Sequence, residues 1–338
     1  MSSYAKRKPR PCGLTIHPVI GCPFDCSYCY IRDMDIGFEP KIAEINGNEL
    51  VKEIIRNPFF VRGKMGVFLA IGSLSEPLLP GRVLKKTIDF ILSLKTLGNP
   101  IQISTKCLIP ENPAFRGINV LVTVVTLEKY KQIEKGAPSP LERMESAKIA
   151  FSIEAIPTLF VRPIIPGVTD IEMEEILDEA KRAGFRSVVF GTLRVTNSTI
   201  SRLKKAGIDV EPILKRVKTL NNSQRYIRGE DLKEFAMQMA REKGLIALGS
   251  ACCANALAHG VPCMDVRWIW GKCTLCPNKC KEKVPSEEEV FELLKEMGLK
   301  GIVEGHLILL AKESYKSLKY SERYRLEILT RRIVLRAK

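Results

Sequence analysis

The sequence predicts an α/β protein: a partial or complete (β/α) barrel followed by a C-terminal, Cys-rich, mainly helical extension. Three observations predict it. Short, continuous apolar runs alternate with amphipathic helical stretches as far as about residue 195, the rhythm of a parallel sheet covered by helices. Beyond that point the rhythm gives way to basic, helical stretches. Nine of the eleven cysteines fall in two distant groups, Cys22 to Cys29 and Cys252 to Cys280. A chain of 338 residues has room for one large domain, or for one domain with a smaller appendage.

Four segments follow from this reading. Residues 1–12 are a basic arm. Residues 13–200 are the barrel, opening with a strand-like run over 13–20 that leads into the first cysteines. Buried-strand patterns are expected over 67–72, 101–105, 120–126, 158–163 and 187–191, and helices over 83–94, 140–150 and 171–183. Lys85 and Lys86 face outward on the first of these helices, and Pro140 is tolerated in the first turn of the second. Barrels of this kind carry function at the C-terminal ends of their strands. The first cysteine loop, Gly72 to Pro77, Thr105, Lys106, Thr123 and Arg162 are placed there. Residues 201–285 are helical and then Cys-rich, with Arg202, Lys204, Lys205, Lys215, Arg216 and Lys218 early on and a helix over 231–243. Residues 286–338 are a basic helical region, opened by the cap Ser286 and an acidic first turn.

The 53 Lys and Arg against 38 Asp and Glu give a net charge of +15, which favours polyanions such as tRNA or DNA, or an acidic protein. Charged surfaces are also a thermophile habit. No apolar run approaches the roughly 20 residues of a membrane span. The basic N-terminus lacks the apolar stretch of a secretory signal. A cytoplasmic protein with no membrane partner is expected, and cytosolic cysteines in groups point to metal rather than to disulfides.

The first group reads Cys22-Pro-Phe-Asp-Cys26-Ser-Tyr-Cys29. Three thiolates on one loop can hold three irons of a [4Fe–4S] cubane and leave the fourth iron open. A structural zinc would want a fourth protein ligand. The loop offers none, and the nearest histidine, His17, sits before a proline in a strand-like run.

These residues, with Ile71-Gly-Ser-Leu-Ser-Glu-Pro-Leu-Leu-Pro80, Ile103-Ser-Thr-Lys-Cys107, Glu134-Lys-Gly-Ala-Pro-Ser-Pro-Leu-Glu-Arg143 and Val161-Arg-Pro-Ile-Ile-Pro-Gly-Val-Thr-Asp170, resemble the radical S-adenosylmethionine (SAM) superfamily. More narrowly they resemble its spore photoproduct lyase-related branch, over about residues 13–195. The resemblance implies a radical-SAM-type barrel and a cluster on Cys22, Cys26 and Cys29. It implies that SAM is cleaved to a 5′-deoxyadenosyl radical, with an electron donor such as a ferredoxin or flavodoxin. It also implies SAM contacts: Tyr28 against the adenine, Tyr30 near the cofactor, Gly72, Ser73 and Ser75 at the methionyl end, Lys106 at the carboxylate, and Thr123 where the family usually has a serine near the ribose. Glu134 and Arg143 are expected to form a structural ion pair or cap. The lyase's cysteine hydrogen donor belongs in the segment that here reads Gly72-Ser73-Leu74-Ser75, without a cysteine, which argues against repair of thymine photoproducts. Cys107 is expected to be a buried, unreactive thiol.

The second group supplies four metal ligands from among Cys253, Cys263, Cys273, Cys276 and Cys280, with His259 a weaker candidate. Four thiolates suit a structural zinc or a fully ligated auxiliary [4Fe–4S] cluster; the radical SAM resemblance favours iron–sulfur. Trp268 and Trp270 are spaced to share one strand face. In the tail, Tyr315, Tyr320 and Tyr324 interleave with Lys312, Lys316, Lys319, Arg323 and Arg325, and Lys316, Tyr320 and Tyr324 would share one helix face. That pattern can bind phosphates and stack on bases or pack inward with the charges reaching water. Arg331, Arg332, Arg336 and Lys338 form a basic terminus. The expected function is radical SAM chemistry that modifies or repairs a nucleic acid. The alternatives are radical modification of a peptide, protein or metabolite, and a metal-stabilised nucleic-acid-binding module without catalysis.

Overall fold

The computed structural model describes residues 4–271, 273 and 275–337, with only the main chain of Arg267 and Trp270. Lys338 of the expected basic terminus and the side chain of Trp270 lie outside the described residues.

Seven strands form one sheet in sequence order: β1 (Leu14–Ile16), β2 (Leu69–Ile71), β3 (Ile101–Thr105), β4 (Asn119–Thr123), β5 (Ile156–Ile164), β6 (Ser187–Thr192) and β7 (Ile246–Leu248). Every neighbouring pair is parallel. Among the described residues β1 and β7 do not pair, so the barrel is partial. All five residues of β4 are buried, as expected of a central parallel strand covered on both faces. The helices cover the sheet with single apolar stripes. Helix α1 (Gly47–Ile55) starts at a capping box made by Asn46 and Glu49. Helix α2 (Arg82–Lys95) buries Val83, Thr87, Phe90, Ile91 and Leu94, residues three and four apart.

The structure departs from expectation in six places. The helix over 140–150 is two short ones, α3 (Pro140–Glu145) and α4 (Ala147–Ser152). At their junction the Ser146 hydroxyl donates to the Arg143 carbonyl (2.7 Å) and accepts from the Ile109 amide (3.2 Å), competing with the helical ladder. The parallel sheet continues beyond residue 200. After α5 (Met173–Arg182), α6 (Asn197–Lys205) and α7 (Glu230–Glu242), strand β7 pairs with β6, and α8 (Ala251–His259) follows it. Three residues were too few to show a strand pattern.

The segment after 286 is not only helical. Helix α9 (Glu287–Glu296), capped by Ser286 and Glu289, packs with a three-stranded sheet of β8 (Gly301–Glu304), β9 (Leu307–Leu310) and β10 (Ile333–Arg336). Val290, Leu294, Ile308, Leu310, Leu326 and Val334 give it a small core of its own. The tail helix is broken into α10 (Lys312–Ser317) and α11 (Tyr320–Thr330), because Leu318 and Lys319 are extended. Lys316 therefore shares no helix with Tyr320. Tyr320 and Tyr324 instead meet Phe59 edge-on at 5.7 and 5.6 Å between centroids, with the Lys8 ammonium 4.4 and 5.2 Å from their rings. Arg331 and Arg332, expected in a basic terminus, are buried at 1% and 4% exposed. Trp268 and Trp270 lie in a 3-10 turn, Arg267–Trp270, not a strand. Among the described residues no helix is long and apolar enough to cross a membrane.

Candidate functional site

The chain leaves β1, makes a two-residue antiparallel pair between Val19–Ile20 and Lys41–Ile42, and delivers Cys22, Cys26 and Cys29 at the C-terminal end of the sheet. Gly21 makes this turn possible. Its φ is +99° and the Glu39 carbonyl occupies the space where a side chain would stand. The Gly21 amide donates to the Leu74 carbonyl (3.1 Å) and Gly21 bridges Ser75, which pins the cysteine loop to the segment after β2. On the other side the Ser27 amide donates to the Ile133 carbonyl (2.8 Å) and the Gly136 amide to the Phe24 carbonyl (3.2 Å).

The resemblance-derived residues converge around these thiols. The Tyr28 hydroxyl donates to the buried carboxylate of Glu134, which also pairs with Arg143. Both charged side chains of that pair are 0% exposed, so the expected structural ion pair is present. Arg143 Nη1 also donates to the carbonyl of buried Thr123 (2.6 Å). The Tyr30 hydroxyl donates to the Ser73 carbonyl. Gly72, at φ +95°, backs against the Ser104 carbonyl. Ser75 Oγ is buried with no hydrogen-bond partner among the described residues. The Lys106 ammonium lies 5.4 Å from the centre of the Tyr28 ring.

Electrostatics bind the set together. Burial alone would depress the Lys106 pKa, but the Cys26 and Glu134 groups outweigh it and hold it above the usual lysine value. Burial likewise works to raise Glu134, and the Arg143 and Lys106 cations prevail, holding the carboxyl below its ordinary range. Burial pushes the Cys22 thiol up to about 11, and raises Cys26 further, so metal binding here would be coupled to loss of the thiol protons. Glu76, which sequence reasoning passed over, is buried. It accepts from the Thr105 hydroxyl (2.5 Å) and from the amides of Lys106 (2.7 Å) and Leu78 (3.1 Å), fixing the ends of β2 and β3 together. Cys107 is buried beside it. The three Sγ atoms of Cys22, Cys26 and Cys29 do not all come within 4.8 Å of one another.

The second group is differently built. Cys252 and Cys253 stand in the first turn of α8, and their Sγ atoms and that of Cys263 all lie within 4.8 Å of one another. Cys280 Sγ accepts from the amide of Cys263 (3.3 Å) and the side chain of Asn278 (3.1 Å). Cys276 is close enough to feel Cys253 and Cys280, and the Cys273 carbonyl accepts from the Cys276 amide (3.2 Å). His259 Nδ1 pairs with the Asn255 carbonyl (2.9 Å), away from the thiol group. Two members were missed: Cys252, adjacent to Cys253 in sequence, and Cys12, which hydrogen-bonds Cys252 and carries no spacing signal.

No family model and no curated protein matches the sequence. Solved structures do. A spore photoproduct lyase mutant with bound AdoMet and dinucleoside spore photoproduct matches at a TM-score of 0.54 and 12% identity, over 74% of this chain and 80% of that one. Spore photoproduct lyase complexed with dinucleoside spore photoproduct gives 0.55 and 15%, over 72% and 78%. This chain has the fold of spore photoproduct lyase. Within that fold, the Cys22 loop and the residues after β2, β3 and β4 gather at the strand ends where parallel barrels build their sites. No cysteine stands between Gly72 and Glu76.

Proposed function

We propose that this chain is a radical SAM enzyme that acts on a nucleic acid. The observation that carries the first part is the spread of the three thiols on one strand-end loop beside buried Lys106. One tetrahedral ion would draw its thiolates to about 3.8 Å, given metal–sulfur bonds of about 2.3 Å. Wider thiols suit a polynuclear cluster that gives each sulfur its own iron. The unpartnered Ser75 hydroxyl beside that loop fits a polar ligand above the cluster. In this reading Cys22, Cys26 and Cys29 hold a [4Fe–4S] cluster. Lys106 offsets thiolate charge and receives the SAM carboxylate, Gly72, Ser73 and Ser75 line its methionyl end, and Tyr28, Tyr30 and Thr123 bound the nucleoside side. With both bound, and one electron delivered by a small electron-transfer protein, the cluster and SAM would supply a 5′-deoxyadenosyl radical and methionine by cleavage of the sulfonium bond. The protein's own part is to orient the ligand and exclude water.

The nucleic-acid part rests on a cationic cluster next to Tyr30. Arg162 Nη2 donates to the Tyr226 hydroxyl at 3.4 Å, and Arg194 donates to the same oxygen while stacking 4.3 Å from that ring. Arg194 also lies 6.0 Å from the Tyr30 ring. Neither guanidinium has a carboxylate partner among the described residues, and Tyr226 is 52% exposed. Two free cations with an exposed aromatic form a phosphate-and-base surface. The test is anaerobic reconstitution followed by assay of 5′-deoxyadenosine from SAM, with Cys26→Ala as the inactive control, and binding to tRNA and duplex DNA against salt. Production without salt-dependent binding would retire the nucleic acid in favour of a peptide or metabolite. No 5′-deoxyadenosine from the reduced, iron-loaded protein would retire the enzyme.

A further inference from the structure

The second thiol group has the compactness that the first lacks. Cys252 and Cys263 approach to 3.7 Å between sulfurs, and with Cys253 they all fall within 4.8 Å. That is the edge of a tetrahedron around one ion, about 3.8 Å for metal–sulfur bonds of about 2.3 Å. A cubane sets each thiolate on a separate iron and holds them farther apart. The N-terminal arm offers a fourth sulfur: Cys12 hydrogen-bonds Cys252 at the edge of this trio, without lying within 4.8 Å of all three, and would be drawn in by the ion. The Ser250 hydroxyl sits 3.0 and 3.1 Å from the sulfurs of Cys252 and Cys253, as a donor stabilising charged sulfur would.

A second observation points to negative charge at this place. Arg331 is 1% exposed, and its guanidinium reaches only carbonyl oxygens: Pro262 (3.3 Å), Gly66 (3.3 Å) and Ile328. Among the described residues it has no carboxylate partner, and the ionisable groups near enough to act on it are Cys263, Tyr324 and Cys280. A buried cation without a counter-ion is costly. Four thiolates around one divalent ion carry a net negative charge and supply the missing partner, whereas neutral thiols would not.

We propose that Cys12, Cys252, Cys253 and Cys263 form a closed mononuclear site for a soft divalent ion, zinc, that fastens the N-terminal arm to α8. In this proposal Cys252 joins the expected Cys253 and Cys263 in the compact trio, and Cys12, bonded to Cys252, takes the fourth place expected of Cys273, Cys276 or Cys280, which lie outside the trio. Four thiolates fill the coordination sphere, so the ion has no open position for substrate and its role is structural. Binding releases the thiol protons to solvent.

The test is metal analysis of the full chain purified without oxygen, with cobalt exchanged for zinc as an optical probe. The expected result is about one zinc per chain, retained in Cys22→Ala and Cys276→Ala and lost in Cys252→Ala. Cobalt should show the strong visible bands of a tetrahedral thiolate site. Cys12→Ser, a change on an exposed residue, keeps the fold measurable and should shift those bands as one sulfur becomes oxygen. Iron rising to about eight per chain and halved by Cys276→Ala, as two cubanes require, would overturn the proposal. So would cobalt bands unchanged in Cys12→Ser. Either result leaves the 5′-deoxyadenosine assay of the first site untouched.

Discussion

Arg202 lies across the cysteine loop and donates through Nη2 to the main-chain carbonyl of Cys29 at 3.1 Å, from 173 residues away. Its Nε reaches the Ser27 carbonyl at 3.0 Å, and Nη1 pairs with Asp33 at 3.0 Å. One planar guanidinium thus fixes two carbonyls and a carboxylate around the third thiol. Arg202→Ala should cost about 1.5–3 kcal/mol, the range for hydrogen bonds involving a charged group, and make bound iron more easily chelated. Arg202→Lys should recover little, since it lacks the fork. Iron loss to a chelator over time, with thermal unfolding alongside, reads both effects.

Ser75 offers a cleaner probe of the SAM pocket. Its hydroxyl has no partner among the described residues, so Ser75→Ala should leave the melting temperature unchanged. If the hydroxyl contacts SAM, its loss should weaken SAM binding by about 0.5–1.5 kcal/mol, the worth of one hydrogen bond. Equilibrium binding of SAM to the reconstituted protein decides it; unchanged affinity would remove Ser75 from the pocket.

Breaking the Glu134–Arg143 pair should be severe. Both side chains are fully buried, and Glu134→Gln leaves an uncompensated guanidinium at a cost of about 3–5 kcal/mol. The double change Glu134→Gln with Arg143→Met should be less damaging than the single one. Urea denaturation of the three variants measures the difference.

The same pair sets a pH dependence. The folded Glu134 carboxyl titrates below its ordinary value of 4.5, so the unfolded chain takes up the proton first as pH falls. Its stabilisation is therefore complete above that ordinary value and is lost as pH falls through the lowered folded value. The urea midpoint should decline through that acid window, and decline less in the double variant.

Arg194→Met should lower nucleic-acid affinity roughly equally across sequences and reduce the slope of log affinity against log salt by about one unit. Tyr226→Ala, which removes the exposed ring, should lower affinity without that change in slope. Filter binding at several salt concentrations separates the two.

Much of this was legible in the sequence wherever the signal was local. Apolar runs gave the strands β2 to β6, and the spacing of Cys22, Cys26 and Cys29 marked the loop. What stayed hidden was non-local. Arg202 looked like one more helical charge because its targets are main-chain carbonyls, which have no sequence signature. Cys12 looked solitary because its neighbour is at residue 252. Arg331 read as part of a basic terminus because Lys and Arg are rarely fully buried, yet it is buried at the end of α11. Glu76 was only a letter in a motif until β2 and β3 were placed side by side.

The contact of Lys8 with Tyr320 spans 312 residues, and Tyr324 lies one turn farther on. During synthesis the arm cannot find this partner until residue 324 has left the ribosome, on the order of tens of seconds after the arm itself at roughly 5–20 residues per second. Throughout that interval Phe59 is without the rings that cover it. Tyr320 and Tyr324, made long after Phe59, are thus needed to shield it, and a nascent chain stalled before them would present an open apolar edge to chaperones.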